Sequence, residues 1–266
     1  SSVLSFGTIG CNFRCMFCQN YTSSQASKEN FNVEQEEISP QEIVELAKKY
    51  NCKTIAYTYN EPTIFAEYAL DTMKLAKKNN IKNIFVSNGY FSKKTFELIQ
   101  PYLDAINIDL KSFSNDFYLT IVGAKLDGVL ESLKLVAKTN TWLEVTTLLI
   151  PEKNDSDEEI KKIADFVKEE LGAEVPLHFS AFFPVYKMTD ILPTPQKTLL
   201  RAKKIAEETG LKYVYIGNVE LDGGEDTICP KCKKTVIKRR RYLISQNDVV
   251  DSKCKFCGEK IDGKFD

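Results

Sequence analysis

Two hydrophobic periods take turns along this chain. Short runs rich in β-branched and aromatic residues read as strands: Val3–Ile9, Thr54–Tyr59, Asn83–Val86, Ala105–Lys111, Trp142–Ile150, Leu177–Phe182 and Tyr213–Ile216. Between them, apolar residues recur every three or four positions. Ile43, Leu46, Ala47 and Tyr50 form such a stripe behind Ser39-Pro40-Gln41-Glu42, an N-cap with Pro at the first helical position and Glu at the third. Further helices run to about Asn79, begin at a Ser92 cap, and continue to about Asn140. Ile160, Ile163, Ala164, Val167 and Leu171 mark another, and the last runs from Thr194-Pro195 to a stop at Gly210. Tyr21 to Glu37 is polar and aperiodic, and reads as a loop.

Strand and helix alternate over roughly 210 residues, so the expected fold class is α/β with a parallel sheet and helices outside. The strand at 105–111 adds detail. Period 2 puts Ile106, Ile108 and Leu110 on one face and Asn107, Asp109 and Lys111 on the other, so the polar face lines a cavity or contacts itself. Polar residues gather at strand C-termini: Asn60 and Glu61, Ser87 and Asn88, Asp109 and Lys111, His178 and Ser180. Barrel enzymes keep their active sites there, although six βα units are too few for an eight-fold barrel.

Composition narrows the classes. The 266 residues are 43% hydrophobic and 27% charged with net charge −1, an ordinary globule with no global drive toward nucleic acid or membrane. No apolar run approaches the roughly 20 residues of a membrane span, and Ser1-Ser2-Val3 has none of the features of a signal peptide. Seven of the eight cysteines fall in Cys-x3-Cys-x2-Cys or Cys-x2-Cys spacing, which argues for metal over disulfides. Cys52 stands alone and reads as a small core residue. Reduced thiols place the chain in the cytoplasm. It lacks an initiator Met and opens ten residues before the first clustered thiol, so it reads as a piece of a longer protein.

Gly10-Cys11-Asn12-Phe13-Arg14-Cys15-Met16-Phe17-Cys18-Gln19-Asn20 organises the rest. Three thiolates on one loop suit a soft metal site, and a [4Fe–4S] cube held by three cysteines keeps one iron open. A zinc site completed by His178, Cys52 or the C-terminal pairs is the alternative. The Cys-x3-Cys-x2-Cys loop, with an aromatic before the last Cys, resembles the radical S-adenosylmethionine (SAM) family. That resemblance implies an open (β/α)6 partial barrel. It also implies a [4Fe–4S] cluster on Cys11, Cys15 and Cys18 whose free iron chelates SAM, and an electron donor such as flavodoxin or ferredoxin. Reductive cleavage of SAM would then yield a 5′-deoxyadenosyl radical that abstracts hydrogen from a substrate. By the same match Phe17 packs near the adenine.

The resemblance extends along the chain. Asn60-Glu61-Pro62 stands where many of these proteins have Gly-Gly-Glu-Pro, which holds the SAM amino group; Tyr59 and Asn60 replace the two glycines. Ser87-Asn88-Gly89 and Asp109-Leu110-Lys111 resemble cofactor-contacting segments of glycyl-radical activating enzymes such as pyruvate formate-lyase activase, and His178 matches their adenine-side histidine. Val86 and Thr146 depart from that group, which carries Asp and Arg there. Cys-Asn-Phe-x-Cys-x-Phe-Cys-Gln-Asn, Tyr-Asn-Glu-Pro-Thr, Val-Thr-Thr-Leu-Leu-Ile-Pro, Tyr-Lys-Met-Thr-Asp and Tyr-Ile-Gly-Asn-Val are together most similar to the radical SAM enzyme of the AmmeMemoRadiSam system.

From Asp222 the texture changes, dividing the chain into a barrel at 1–222 and a small module at 223–266. Cys229-Pro230-Lys231-Cys232 and Cys254-Lys255-Phe256-Cys257 have zinc-ribbon spacing, with Thr235-Val236-Ile237 and Tyr242-Leu243-Ile244 as short strands. A rubredoxin-type iron site and an auxiliary iron–sulfur cluster are the rivals to structural Zn²⁺. Lys231, Lys233, Lys234, Lys238, Arg239, Arg240 and Arg241 make the module basic, which reads first as a solvated or docking face and second as a nucleic-acid patch. Three functions follow: a radical SAM enzyme acting on a small molecule or partner protein, a glycyl-radical activase, and an RNA-binding or RNA-modifying protein.

Overall fold

The computed structural model describes residues 2–265 except 35 and 242, so the Tyr242 part of the second ribbon strand lies outside the described residues. The α/β reading holds: seven parallel strands follow in chain order and alternate with helices. The chain forms two compact units, Ser1–Leu110 with Asn115–Leu143 and Val185–Thr189, and Lys111–Ser114 with Glu144–Pro184 and Asp190–Asp266.

The first unit carries β1 (Val3–Phe6), α1 (Tyr21–Ser24), α2 (Ala26–Glu29), α3 (Pro40–Lys49), β2 (Thr54–Tyr57), α4 (Ala66–Lys78), β3 (Lys82–Ser87), α5 (Lys93–Ile99), β4 (Ala105–Asp109), α6 (Asn115–Phe117) and α7 (Leu126–Ala137). β1 to β4 pair in parallel, with Val3 opposite Thr54, Ile55 opposite Asn83 and Phe85 opposite Ile106. Helix starts follow the sequence. Ser39 accepts from the Glu42 N–H while Glu42 reaches back to the Ser39 N–H, and Ser92 accepts from the Thr95 N–H. The fully buried side chains of this unit include Tyr57, Tyr118, Phe13, Phe85 and Phe96.

The stretch expected to be one loop, Tyr21 to Glu37, instead holds α1 and α2. Neither has an apolar stripe, because what this segment buries includes Ser24 and Gln25, polar side chains spent on the neighbouring thiol loop. Residues 185–189 return to this unit as a strap. The Lys187 N–H donates to Met16 O, Tyr186 stacks on Tyr21 with ring centroids 4.8 Å apart, and Tyr186 and Lys187 both bond Glu29.

The second unit holds β5 (Trp142–Leu149) from Glu144 onward, α8 (Asp157–Phe166), β6 (Leu177–Ala181), α9 (Gln196–Thr209) and β7 (Val214–Gly217). Val145 pairs with Leu177 and Leu177 with Val214. The module that follows has β8 (Thr227–Ile228), β9 (Thr235–Arg240), β10 (Leu243–Asn247), β11 (Val249–Val250) and β12 (Lys253–Cys254). It packs on the barrel strand that precedes it: Tyr213 joins Cys229, Val236, Ile237, Cys254 and Ile261 in one buried cluster, and its hydroxyl accepts from the Asp262 N–H at 3.0 Å. Among the described residues no helix is long and apolar enough to cross a membrane.

Candidate active site

The thiol loop hangs between β1 and α1, and side chains from elsewhere hold it by its carbonyls. Asn60 Nδ2 donates to Thr8 O at 2.9 Å and Gly10 O at 2.8 Å. Lys28 Nζ donates to Cys11 O at 2.8 Å and Phe13 O at 2.9 Å, and Gln25 Nε2 reaches Phe13 O at 3.2 Å. Burial lowers the Lys28 ammonium from its ordinary range; the Cys11, Cys15 and Cys18 thiols raise it, and Arg14 lowers it further. Behind the loop Arg14, Gln25, Lys28, Glu29, Tyr186 and Lys187 line a cavity of about 400 Å³.

Cys15 is buried and Cys11 and Cys18 are half-buried. Cys11 Sγ accepts from the Phe13 N–H at 3.5 Å and from Asn88 Nδ2 at 3.7 Å, and Cys18 Sγ lies 3.1 Å from Ser24 Oγ. Three thiols on one pinned loop, none in a disulfide and with N–H groups aimed at sulfur, fit a thiolate-held iron–sulfur cluster. Phe17 is buried beside Phe117, ring centroids 6.1 Å apart.

Strand ends complete the arrangement. Glu61 is fully buried after β2, and its oxygens accept from Thr63 N–H (3.1 Å), Thr63 Oγ1 (2.7 Å), Ser87 Oγ (2.9 Å) and the Asn88 N–H (2.7 Å). Burial pushes the carboxyl up and those donors pull it back. Asn88 then turns its amide to Asn12 Oδ1 at 2.7 Å, and Asn12 Nδ2 donates to Tyr90 O. The turn needs Gly89, whose φ is +73°; a Cβ there would lie 2.7 Å from Ile108 Cγ2. Asn60, Glu61, Ser87 and Asn88 thus join the thiol loop in one hydrogen-bond network. Asn60 Oδ1 is buried with no hydrogen-bond partner, and Tyr59 before it has φ +70°, a left-handed backbone that glycine adopts freely. Asp109 stands with Asn107 on the partly open face of β4. Lys111 and His178 belong to the second unit, where Lys111 O accepts from Asn154 Nδ2 and His178 Nε2 lies 2.9 Å from Glu144 Oε2.

Sequence reasoning missed Asn12, Gln25, Lys28 and Glu144. A carboxylate on the open face of β5 was readable by the period-2 logic applied to β4; the others cap backbone carbonyls and leave no periodic trace.

In the C-terminal module Cys229, Cys232, Cys254 and Cys257 bring their sulfurs within 4.8 Å of one another, with Cys229–Cys257 at 3.6 Å and Cys232–Cys254 at 3.7 Å. A tetrahedron of ~2.3 Å metal–sulfur bonds has edges of roughly 3.8 Å, so the four thiols fit a single ion. A left-handed residue follows each knuckle, Lys233 at φ +60° and Gly258 at φ +72°. The Lys234 N–H holds the Cys232 thiol down at about 7. At Cys257 the Glu259 N–H is outweighed by burial and the neighbouring thiols, which push it up to about 12. Most of the basic side chains are occupied: Lys231 with Glu259, Lys238 with Asp222, Arg240 and Arg241 with Glu220, and Arg239 with Thr227.

A radical SAM superfamily model matches residues 6–167. The chain belongs to the radical SAM superfamily. It is 46% identical over 264 residues, 98% of this chain and 78% of the relative, to an uncharacterized protein of Methanocaldococcus jannaschii. A putative glycyl-radical enzyme activating enzyme of that organism is 26% identical over 226 residues, 84% of this chain and 82% of the relative. Streptococcus suis SuiB bound to S-adenosylmethionine is similar in fold, with a TM-score of 0.64 at 13% identity, over 81% of this chain and 50% of that one. Radical SAM membership makes the chain an enzyme, and the superfamily implies a [4Fe–4S] cluster and SAM.

Proposed function

We propose that this chain is the radical SAM enzyme of an AmmeMemoRadiSam-type system, acting on a small molecule or a partner protein, with Cys11, Cys15 and Cys18 as cluster ligands. The observation that carries this reading is the network joining the strand ends to the thiol loop through Glu61, Asn88 and Asn12. The cluster, when bound, supplies one electron to SAM, whose cleavage gives methionine and a hydrogen-abstracting 5′-deoxyadenosyl radical. Lys28, Gln25 and Asn60 hold the loop backbone, and Glu61 and Ser87 fix the Asn88 backbone so that its amide faces Cys11 and Asn12. Asp109, Lys111, Phe17 and His178 serve the cofactor, as the family resemblance implies.

An acidic one-electron carrier, flavodoxin or ferredoxin, is the reductant in this reading, and the cytoplasm is where thiols stay reduced. The C-terminal module holds structural Zn²⁺, since four thiols leave no open coordination position. Its ion-paired bases argue against an RNA role. Glycyl-radical activation is the second reading, favoured by the similarity to a putative activating enzyme.

The test is anaerobic reconstitution with iron, sulfide, SAM and dithionite, followed by assay for 5′-deoxyadenosine. Wild type should form it, and Cys15→Ala should lose both the brown chromophore and SAM cleavage. A complete cluster retained in Cys15→Ala overturns the ligand assignment.

A further inference from the structure

On the partly open face of the second unit the register sets Thr146, His178 and Tyr215 side by side. Glu144 bonds the imidazole at Nε2, and the Tyr215 ring lies against it, centroids 5.0 Å apart and planes 26° from parallel. One carboxylate and one aromatic plane therefore fix the imidazole.

The Tyr215 hydroxyl points out of the barrel strands. It is 3.0 Å from the Oγ1 of Thr227, a buried residue of β8, and that oxygen also accepts from Arg239 Nη1 on β9 at 2.7 Å. Arg239 is held in turn, its backbone N–H donating to Asp226 Oδ1 at 2.9 Å. A hydroxyl has one proton and two acceptor sites, so Thr227 can serve both neighbours at once. The two strands that supply Thr227 and Arg239 are locked by the thiol knuckles: Cys229 follows β8 directly, and Cys232 lies three residues before β9.

We propose that Tyr215, Thr227 and Arg239 are positioning residues through which the four-cysteine module sets the orientation of the His178 ring, and with it SAM affinity. The second half rests on the cofactor role given to His178 under the proposed function. Tyrosine has two side-chain torsions, and here the ring is pinned at both ends. Releasing the hydroxyl lets the ring tilt about its Cβ, and the imidazole stacked on it must follow or lose the stack. A purely structural tie would lower module stability and leave the imidazole where it is.

His178 is the chain's single histidine, so ¹³C,¹⁵N-histidine labelling of the full metal-loaded protein gives one set of imidazole resonances. Thr227→Val and Arg239→Met touch neither His178 nor a thiol. Each should move that set and weaken SAM binding roughly five- to tenfold, the loss of about one hydrogen bond, with cluster content unchanged. Arg201→Ala, which breaks a surface pair with Asp157, should move neither. If Arg239→Met releases the metal, Thr227→Val alone decides. Imidazole resonances identical to wild type overturn the proposal, and so do shifted resonances with unchanged SAM affinity. A wild type that binds no SAM sinks the functional reading instead, while the resonance comparison still tests the positioning of His178.

Discussion

Glu61 shows how far a single residue can be read. Its motif is visible in Asn60-Glu61-Pro62, but its partners Ser87 and Asn88 lie 26 and 27 residues away, and only the fold joins them. Each group around the carboxylate donates a proton toward it, so a side chain at position 61 with its own N–H disrupts the shell. Glu61→Gln should cost about 1–3 kcal/mol, because one buried donor then faces an amide NH₂. Urea unfolding at neutral pH measures this, and an unchanged midpoint contradicts it. The three thiols were legible because their spacing is local. Lys28, Gln25 and Asn12 were not, since a side chain capping a carbonyl obeys no period. Tyr59 is a separate case: the left-handed backbone is kept where the family has glycine, and no sequence rule for tyrosine predicts it.

At the scale of elements, caps and periodicity located most helices and strands. Strand ends were over-extended by two residues, since β2 stops at Tyr57 and β4 at Asp109 while Tyr59 and Leu110 continue the apolar pattern beyond them. The cap of α3 yields a pH prediction. The Ser39 hydroxyl, and after it the Ser39 N–H, hold the Glu42 carboxyl below the usual carboxylate range. The folded chain therefore takes up that proton less readily than the unfolded one. The cap's contribution is full above the unfolded value of roughly 4.3 and is lost as pH falls through the lower folded value. Wild type should melt above Glu42→Gln at pH 7, and the gap should close toward pH 3. A gap constant across thermal melts over that range contradicts the assignment.

At the scale of the molecule, the C-terminal module is built on the chain that precedes it. Among the described residues, two of the six buried in its core are thiols of the four-cysteine group and one is Tyr213, so the module has little interior of its own. Stripping the metal with a chelator should abolish amide-exchange protection between residues 227 and 261, with β2 to β4 still protected. Protection retained in the module after metal loss contradicts this.

The strap at 185–189 also sets an order of events in time. Glu29 and Tyr186 are 157 residues apart in the chain. At a synthesis rate of ~5–20 residues per second, roughly 8–30 s pass between the emergence of Glu29 and its partner. During that interval the thiol loop is already made and the strands that follow it are being added, but Met16 and Tyr21 lack their strap contacts. A nascent chain therefore carries the thiol loop for that interval without the strap across Met16, Tyr21 and Glu29. Ribosome stalling before residues 185–189 have emerged would lengthen that interval, and a stall after their emergence would not.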